Sequence, residues 1–397
     1  MNKPHILIAG AGLGGLTAGI ALAQRGFSVD IFEAAAELRE VGAGLTVSRS
    51  AQAVFAELGL LDRVRETASL TKKMAFLHYI DGRMLAGAVD DSDGRWTPEK
   101  GEGGIHIHRA DMHALLAARF EELAPGRLHL GKRLIDFRDV TGPVEMHFAD
   151  GSSAQGDMLI GADGIRSAVR QKLWGGGTPR FTGQVAYRFM MPGDIAAPFL
   201  RDAGRAAVFQ GPGRVFNRYT LRRGAIVNCV GITQADGWDD DGSWSTPANV
   251  DEMLALYNGW HPDVTGLMAL APPQHLIKWA LFDRPSLPGW LRGRTTLLGD
   301  AAHPMLPFLG LGAAMAIEDA MVLARALGAH PDIDGLALYE DVRRPRVEKI
   351  AELSRIQGEL SQQRDPAEYD PKTAPAQDPG IQDYDPVTIP LAVEQAA

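Results

Sequence analysis

Two short stretches of this chain carry residue types whose spacing suits the two ends of one extended ligand. The first is Gly10-x-Gly12-x-x-Gly15, within Ile8-Ala9-Gly10-Ala11-Gly12-Leu13-Gly14-Gly15. In such a motif the first glycine permits a tight turn. The second lets a diphosphate approach the backbone, and the third lets helix pack close to strand. The helix N-terminus then points free N–H groups at the phosphates. Glu33 ends the following apolar run, Ser28-Val29-Asp30-Ile31-Phe32. There a carboxylate can accept hydrogen bonds from ribose hydroxyls. Strand, glycine motif, helix, strand and acid occur in order, which predicts dinucleotide binding. The acid serves NAD and FAD sites alike, so this motif does not choose between them. The second stretch, Gly299-Asp300-Ala301-Ala302-His303-Pro304, lies near the other end of the chain. It suits the sugar-alcohol and ring end of such a ligand.

Other residues admit two readings each. His106, His108 and His113 invite a metal site, but no HExxH-type spacing occurs and nearby Cys ligands are absent. No metal is expected. Arg109 reads as a cation near a cofactor phosphate or ring, or as a surface salt bridge. Arg188, Arg214 and Arg222 can each meet a carboxylate bidentately, and strand register decides which of them points inward. His303 reads as structural rather than as a base. The lone Cys229 sits in an apolar run and reads as a buried small hydrophobe.

The elements that must position these residues follow from the hydrophobic pattern. Residues 5–9 and 28–32 read as buried strands around a helix over 13–24. A glycine-rich extended segment from 38 to 47 precedes a helix at 50–58, where a plain NAD-binding domain would continue with another βα unit. Residues 74–89 alternate like strands, and 90–103 form a polar loop. His106–His113 leads into a helix. Residues 128–137 read as one strand, 144–148 as another. A buried strand at 156–161 turns sharply at Asp163 into a helix. Strand-rich residues 181–232 mark a second domain, followed by a helix at 250–260 and a strand at 276–282. A largely buried helix spans 312–327, and a further helix carries Tyr339 to Arg346. The proline-rich tail from 365 is expected to lack regular structure.

Composition bounds the partners. The chain has 397 residues and a net charge of −9, which gives no support for nucleic-acid binding. One cysteine allows no internal disulfide, so a reducing compartment fits. Residues 6–23 are almost uncharged, but five glycines argue against a signal peptide or membrane span. The expectation is a soluble, cytoplasmic protein that is monomeric or homodimeric.

The combined motifs carry a family resemblance. They are GAGLGG, Glu33, Val41-Gly42-Ala43-Gly44-Leu45, His108-Arg109-Ala110-Asp111-Met112-His113, Gly161-Ala162-Asp163-Gly164-Ile165-Arg166-Ser167 and Gly299 to Pro304. Ala316-Ile317-Glu318-Asp319-Ala320 and Tyr339-Glu340 with Arg343-Pro345-Arg346 complete the set. Over about residues 4–360 the chain resembles the single-component FAD-dependent aromatic hydroxylases, flavoprotein monooxygenases typified by 4-hydroxybenzoate hydroxylase. It looks nearest to the salicylate hydroxylase, 3-hydroxybenzoate 6-hydroxylase and 6-hydroxynicotinate 3-monooxygenase type. The implied fold is α/β: a Rossmann-like FAD-binding domain (1–72, 104–180 and 284–360) with an interleaved antiparallel-sheet substrate domain (73–103 and 181–283). Residues 361–397 would be an irregular tail.

The resemblance implies roles residue by residue. Gly10, Gly12, Leu13, Gly14 and Gly15 receive the FAD diphosphate, with Glu33 and Ala34 at the adenosine ribose. Gly44 and Leu45 lie against the ring, Arg109 contacts the FAD, and the Leu134 backbone meets the adenine. Asp163 belongs to a motif linked with both FAD and NAD(P)H. Gly299 and Asp300 hold the ribityl chain, and Gly312 and Ala313 open a helix toward the pyrimidine end. Pro304 flanks the flavin face where a hydroperoxide forms, and Tyr219 matches a substrate-contacting tyrosine, its other reading being a cross-strand aromatic. NAD(P)H is the implied co-substrate, with O₂ and a small phenolic, carboxylate-bearing or N-heterocyclic ring. The rival readings are a flavin oxidase or dehydrogenase without hydroxylation, and a non-catalytic FAD-binding protein. Departures matter too. Leu311-Gly312 replaces Gln-Gly, and Thr46, Phe308 and Val215 stand where several relatives carry ring-binding histidines. These changes argue against a hydroxynicotinate ring and predict a more apolar pocket.

Overall fold

The computed structural model describes residues 3–38, 44–71, 74–86, 104–139, 142–175, 177–200, 206–238, 244–362, 366, 375 and 378–391. The Val41-Gly42-Ala43 segment and the loop expected at 90–103 lie outside the described residues.

Ile6, Leu7 and Ile8 form a continuous apolar run, the pattern of a strand buried on both faces. They lie in a parallel five-stranded sheet ordered Thr295–Leu297, Met158–Gly161, His5–Ala9, Ser28–Phe32, Leu128–His129. Helix Leu13–Gln24 packs between this sheet and helix Gly312–Ala329, which is buried along most of its length. The sheet thus takes strands from near both ends of the chain. That order brings the Gly10 turn, the Asp163 turn and the Asp300 turn to one edge, at the carboxyl ends of neighbouring strands. Ligands of open parallel sheets bind at such an edge.

A second sheet has eight strands, ordered Ser245–Pro247, Ile277–Asp283, Arg180–Pro192, Ile226–Gln234, Arg214–Leu221, Ala206–Gly211, Met74–His78, Met84–Ala86. All its pairings are antiparallel except Ala206–Gly211 with Met74–His78. Side chains alternate between its faces. Val185, Tyr187, Phe189, Phe216 and Cys229 pack under helices Val250–Leu256 and Pro262–Ala269. The opposite face carries Ala186, Ile232 and Leu281 against Leu306 and Phe308, and Ala206 and Tyr219 beside Leu221. Two three-stranded sheets join the large ones.

Three sequence expectations need correction, and one is extended. The single strand at 128–137 is two strands, Leu128–His129 and Leu134–Arg138, in different sheets. The turn between them is fastened where Gly131 N–H donates to Ala35 O and Lys132 N–H to Glu33 O. The helix at 250–260 stops at Leu256, and a second helix begins at Pro262, where proline suits the first turn. The helix expected to carry Tyr339 to Arg346 is present and longer, from Ile333 to Ser361, with Pro345 inside it. The tail is not wholly irregular, since Pro379–Gln382 forms a helical turn. Arg325 then donates to Pro386 O (2.9 Å) and Ile389 O (2.8 Å), and the Arg346 guanidinium lies 3.7 Å over the Tyr384 ring.

Candidate functional site

The glycine turn is built from close backbone approaches. Gly10 adopts φ 101°, a region that glycine enters without strain. A Cβ at Gly15 would collide with the Gly10 carbonyl oxygen, whereas one at Gly12 would meet nothing within 4 Å. The open side of the turn is therefore at Gly12. Helix Leu13–Gln24 begins there with no side-chain cap, so its first N–H groups are free for an anion. Leu13 and Gly14 are buried behind it. Glu33 braces the turn from the next strand. One carboxylate oxygen accepts from Ala11 N and the other from Ala35 N, both at 2.9 Å. Each oxygen keeps a lone pair for a further donor. Ala34 lies half-buried beside it. His113 Nε2 donates to Ala11 O at 2.6 Å, which gives that histidine a structural task.

The second stretch is held from behind by a buried charge network. Asp319 accepts from Gly299 N (3.1 Å), His303 Nε2 (2.6 Å) and Arg343 Nε (2.7 Å). Its neighbour Glu318 accepts from Arg343 (2.7 Å) and, through both oxygens, from Arg346 (2.7 and 2.9 Å). Glu318, Asp319 and Arg343 are fully buried. Burial pushes the Asp319 pKa up, but the His303 and Arg343 charges and hydrogen bonds outweigh it and hold it at about 2. His303 is thereby a bracket for the loop, with Trp290 tilted against it at 5.1 Å. Asp300, one residue past Gly299, is left open to the cleft. Protein enclosing it raises its pKa, against the lowering effect of His303 and Arg109. Helix Gly312–Ala329 starts without a side-chain cap, with Gly312 and Ala313 partly exposed at its N-terminus. Pro304 lies between the Asp300 turn and Leu306 and Phe308, the residues that reach the large sheet.

Asp163 takes its place at the third turn. Its Oδ2 accepts from Ala168 N (2.7 Å) and Val169 N (3.2 Å), at the start of helix Ala168–Trp174. Its Oδ1 is buried with no hydrogen-bond partner among the described residues, and burial raises its pKa. Arg109 is the first residue of helix Arg109–Leu123, and its charge acts on both Asp300 and Arg188. Leu134 begins a strand of a small sheet and packs half-buried on the main core.

Register separates the three arginines. Arg188 pairs with Val230, and Asn217 also pairs with Val230, while Tyr219 pairs with Asn228. These side chains share the face turned away from helices Val250–Leu256 and Pro262–Ala269. Arg214 is out of phase with Tyr219 and lies on the other face, toward Tyr257. Arg222 is at the surface, paired bidentately with Asp111 at 2.8 and 2.7 Å. Arg188 alone of the three faces the cleft. It stands 5.2 Å from the Trp279 ring and has no hydrogen-bond or carboxylate partner among the described residues. Burial lowers its pKa, Tyr219 raises it and Arg109 lowers it.

Tyr219 is 7% exposed, and burial raises its pKa, so it stays a protonated donor. Gly44 sits directly on it, for a Cβ there would run into the Tyr219 ring. Gly44 N–H donates to Asn228 Oδ1 at 3.1 Å, and Leu45 follows half-buried. Behind Tyr219 stacks His106, with ring centroids 4.4 Å apart and planes at 22°. His106 Nδ1 is 3.1 Å from Thr46 Oγ1 and its Nε2 has no partner among the described residues. Burial lowers its pKa to about 4, so the ring is neutral at physiological pH.

The expectation of a more apolar pocket is therefore corrected. Arg188, Asn217, Tyr219 and Asn228 line one face, and Asn217 Oδ1 and Asn228 Nδ2 also lack partners among the described residues. Sequence reasoning passed over Asn217 and Asn228, and weighed His106 only as a metal ligand. The two-residue alternation Asn217-x-Tyr219 was the available signal for the first.

This cleft joins three strand-end turns, two uncapped helix N-termini and an open carboxylate, with an orphaned polar atom, Oδ1, at Asp163. Buried polar atoms ordinarily find partners, so these residues fit an extended dinucleotide. Comparison with known proteins agrees. Residues 3–354 match the FAD binding domain family. The chain is 33% identical over 387 residues to 6-hydroxynicotinate 3-monooxygenase of Pseudomonas fluorescens, covering 96% of this chain and 98% of that protein. It is 34% identical over 352 residues to 3-hydroxybenzoate 6-hydroxylase 1 of Aquipseudomonas alcaligenes, with 88% of each covered. Among solved structures, a salicylate hydroxylase substrate complex superposes with a TM-score of 0.81 at 27% identity, over 97% of this chain and 96% of that one. The chain thus belongs to the FAD binding domain family and is an FAD-dependent aromatic-ring monooxygenase.

Proposed function

We propose that this enzyme hydroxylates a phenolic or hydroxylated aromatic ring bearing an anionic oxygen, a carboxylate or a phenolate, with NAD(P)H as reductant. The observation that carries this reading is Arg188, unpaired among the described residues and beside Tyr219 on the cleft face of the large sheet. The relatives' names supply the substrate class: a hydroxynicotinate, a hydroxybenzoate and salicylate.

In this reading residues 1–72, 104–180 and 284–360 carry the cofactor, and 73–103 and 181–283 roof the substrate. The Gly10–Gly15 turn holds the diphosphate, Glu33 and Ala34 the ribose, and the Leu134 backbone the adenine. Asp300 accepts from the ribityl hydroxyls, and Arg109 adds positive charge near the ring. The N-terminus of helix Gly312–Ala329 stabilises negative charge at the pyrimidine end. Asp163 keeps one oxygen for a cofactor hydroxyl or water. When bound, FAD supplies the redox chemistry that moves electrons from NAD(P)H to O₂ and an oxygen atom to the ring. The chain's own work is positioning. Arg188 pairs the substrate's anionic oxygen, Tyr219 donates to it, and Pro304 and Gly44 bound the ring space. An ionised phenol is the more reactive nucleophile, and a cation beside its oxygen favours that form.

The test is anaerobic reduction of the bound flavin by NADH and NADPH, with salicylate, 3-hydroxybenzoate and related phenols. Strong acceleration by one aromatic, followed by a hydroxylated product in air, is expected. Reduction by the aromatic alone, or none under any condition, would defeat the proposal. A second prediction concerns the glycine turn. Gly15→Ala must displace the Gly10 carbonyl, so the purified variant is expected to retain less than about a tenth of the FAD. Flavin absorbance against protein absorbance reads this directly.

A further inference from the structure

We infer that the aromatic substrate first binds in an outer site, a cavity of about 450 Å³ bounded by Thr182, Gln184, Gln234, Phe308 and Gln362, before it reaches Arg188. The inference rests on the hydroxylase reading above and adds an access route to it. The volume lies within the range of small-molecule sites.

The sheet register ties this cavity to the cleft. Gln184 pairs with Gln234, Ala186 with Ile232, and Arg188 with Val230. Alternate residues share a face, so these three pairs form one continuous track. At about 3.4 Å per residue, Gln184 and Arg188 stand roughly 14 Å apart along it. The middle pair is covered. Leu306 and Phe308 pack on Ala186, Ile232 and Leu281. Phe308 therefore stands between an outer chamber at Gln184 and an inner one at Arg188.

The outer chamber has a substrate-like lining. Gln184 Oε1 and Gln362 Oε1 are buried with no hydrogen-bond partner among the described residues. Such atoms call for a bound donor. Phe181 and Phe308 supply apolar surface for a ring. At the rim Arg180 is paired with Asp283 (2.7 and 3.1 Å), and Arg355 with Glu359 and Glu352. The cations there are neutralised, so the chamber selects a flat ring with hydroxyl or amino substituents, not a bare anion. The unpaired cation lies one chamber further in.

The partition is a side chain on a fixed backbone. Ser354 Oγ donates to Leu306 O at 2.6 Å and accepts from Leu309 N–H at 3.4 Å. The Phe308 ring lies on Gly358, where a Cβ would overlap it. Passage thus requires rotation of Phe308 rather than movement of its loop.

The experiment is stopped-flow mixing of the FAD-loaded enzyme with whichever aromatic accelerates flavin reduction, followed by the flavin spectrum. If no aromatic does so, the hydroxylase reading fails first. Given one, the wild-type observed rate is expected to saturate with concentration, the mark of an initial complex followed by passage inward. Phe308→Ala is expected to give a rate linear in concentration, with dissociation at least tenfold faster and more H₂O₂ released per NADH. Gln234→Trp, at an exposed position on the rim of the outer cavity, is expected to slow association at least tenfold. A linear wild-type rate, or wild-type association in FAD-loaded Gln234→Trp, would overturn the outer site. Phe308→Leu, which keeps an apolar plug, should behave closer to wild type.

Discussion

Arg343→Ala is expected to lower stability by about 3–5 kcal/mol and to release most of the FAD. Arg343 is fully buried and holds Asp319 and Glu318 together. Removing it leaves two buried carboxylates with fewer donors than they need. Arg346 still grips Glu318, and His303 still meets Asp319, so the fold is weakened and not abolished. The same Asp319 oxygen that meets His303 accepts from Gly299 N–H. A shift in Asp319 therefore reaches the Asp300 turn, the proposed seat of the ribityl chain. Urea unfolding of the FAD-free protein measures the stability change, and flavin retention measures the coupling. A variant as stable as wild type would show the network to be energetically idle.

The network also sets an acid limb. Asp319 is depressed to about 2 when folded, below the ordinary value of about 3.9. A depressed carboxylate contributes stability that is fully present above its unfolded pKa and lost as pH falls through its folded pKa. The wild-type contribution should fade from about pH 4 toward pH 2. In Arg343→Ala the folded pKa rises toward the unfolded one, so this contribution shrinks and acid unfolding moves to higher pH.

Arg188→Ala is expected to lower kcat/KM by on the order of a hundredfold, about 3 kcal/mol, for a substrate bearing an anion. Truncating one partner of a desolvated ion pair leaves the other buried and unpaired, which is where most of the loss arises. Arg188→Lys should recover part of it, since the charge returns without the planar fork. An uncharged analogue of the same ring should be far less sensitive. Flavin reduction by NAD(P)H without aromatic should stay near wild type, because the arginine acts through the substrate. Equal losses for charged and uncharged rings would assign Arg188 to the cofactor instead.

The turns of the proposed cofactor half were legible because their geometry is backbone geometry. Gly10, Gly12 and Gly15 announce close approach, and Asp300 follows a buried strand. Their meeting across the chain required only that Thr295–Leu297 join the sheet started by His5–Ala9. The substrate half was harder. Arg188, Arg214 and Arg222 are equivalent as letters. One is turned inward, one lies toward Tyr257 on the far face, and one is bound at the surface by Asp111. That depends on strand phase and on a hairpin turn, neither of which spacing reveals. His106 was visible only as a possible metal ligand, since its partners Thr46 and Tyr219 come from other segments. The strand at 128–137 failed for a related reason. Its apolar pattern runs on through a turn that is held by the carbonyls of Glu33 and Ala35.

The parallel sheet has a consequence for how the enzyme is made. Its edge strand, Thr295–Leu297, and the bracket at Arg343 leave the ribosome long after the Gly10 turn. At roughly 5–20 residues per second, that interval lasts on the order of half a minute. During it the nascent Met158–Gly161 strand has no neighbour on that side, and in the proposed reading FAD would find only the Gly10 turn. Cofactor loading must therefore follow release of most of the chain. The supply of free FAD at that moment, rather than during early synthesis, would govern the yield of active enzyme.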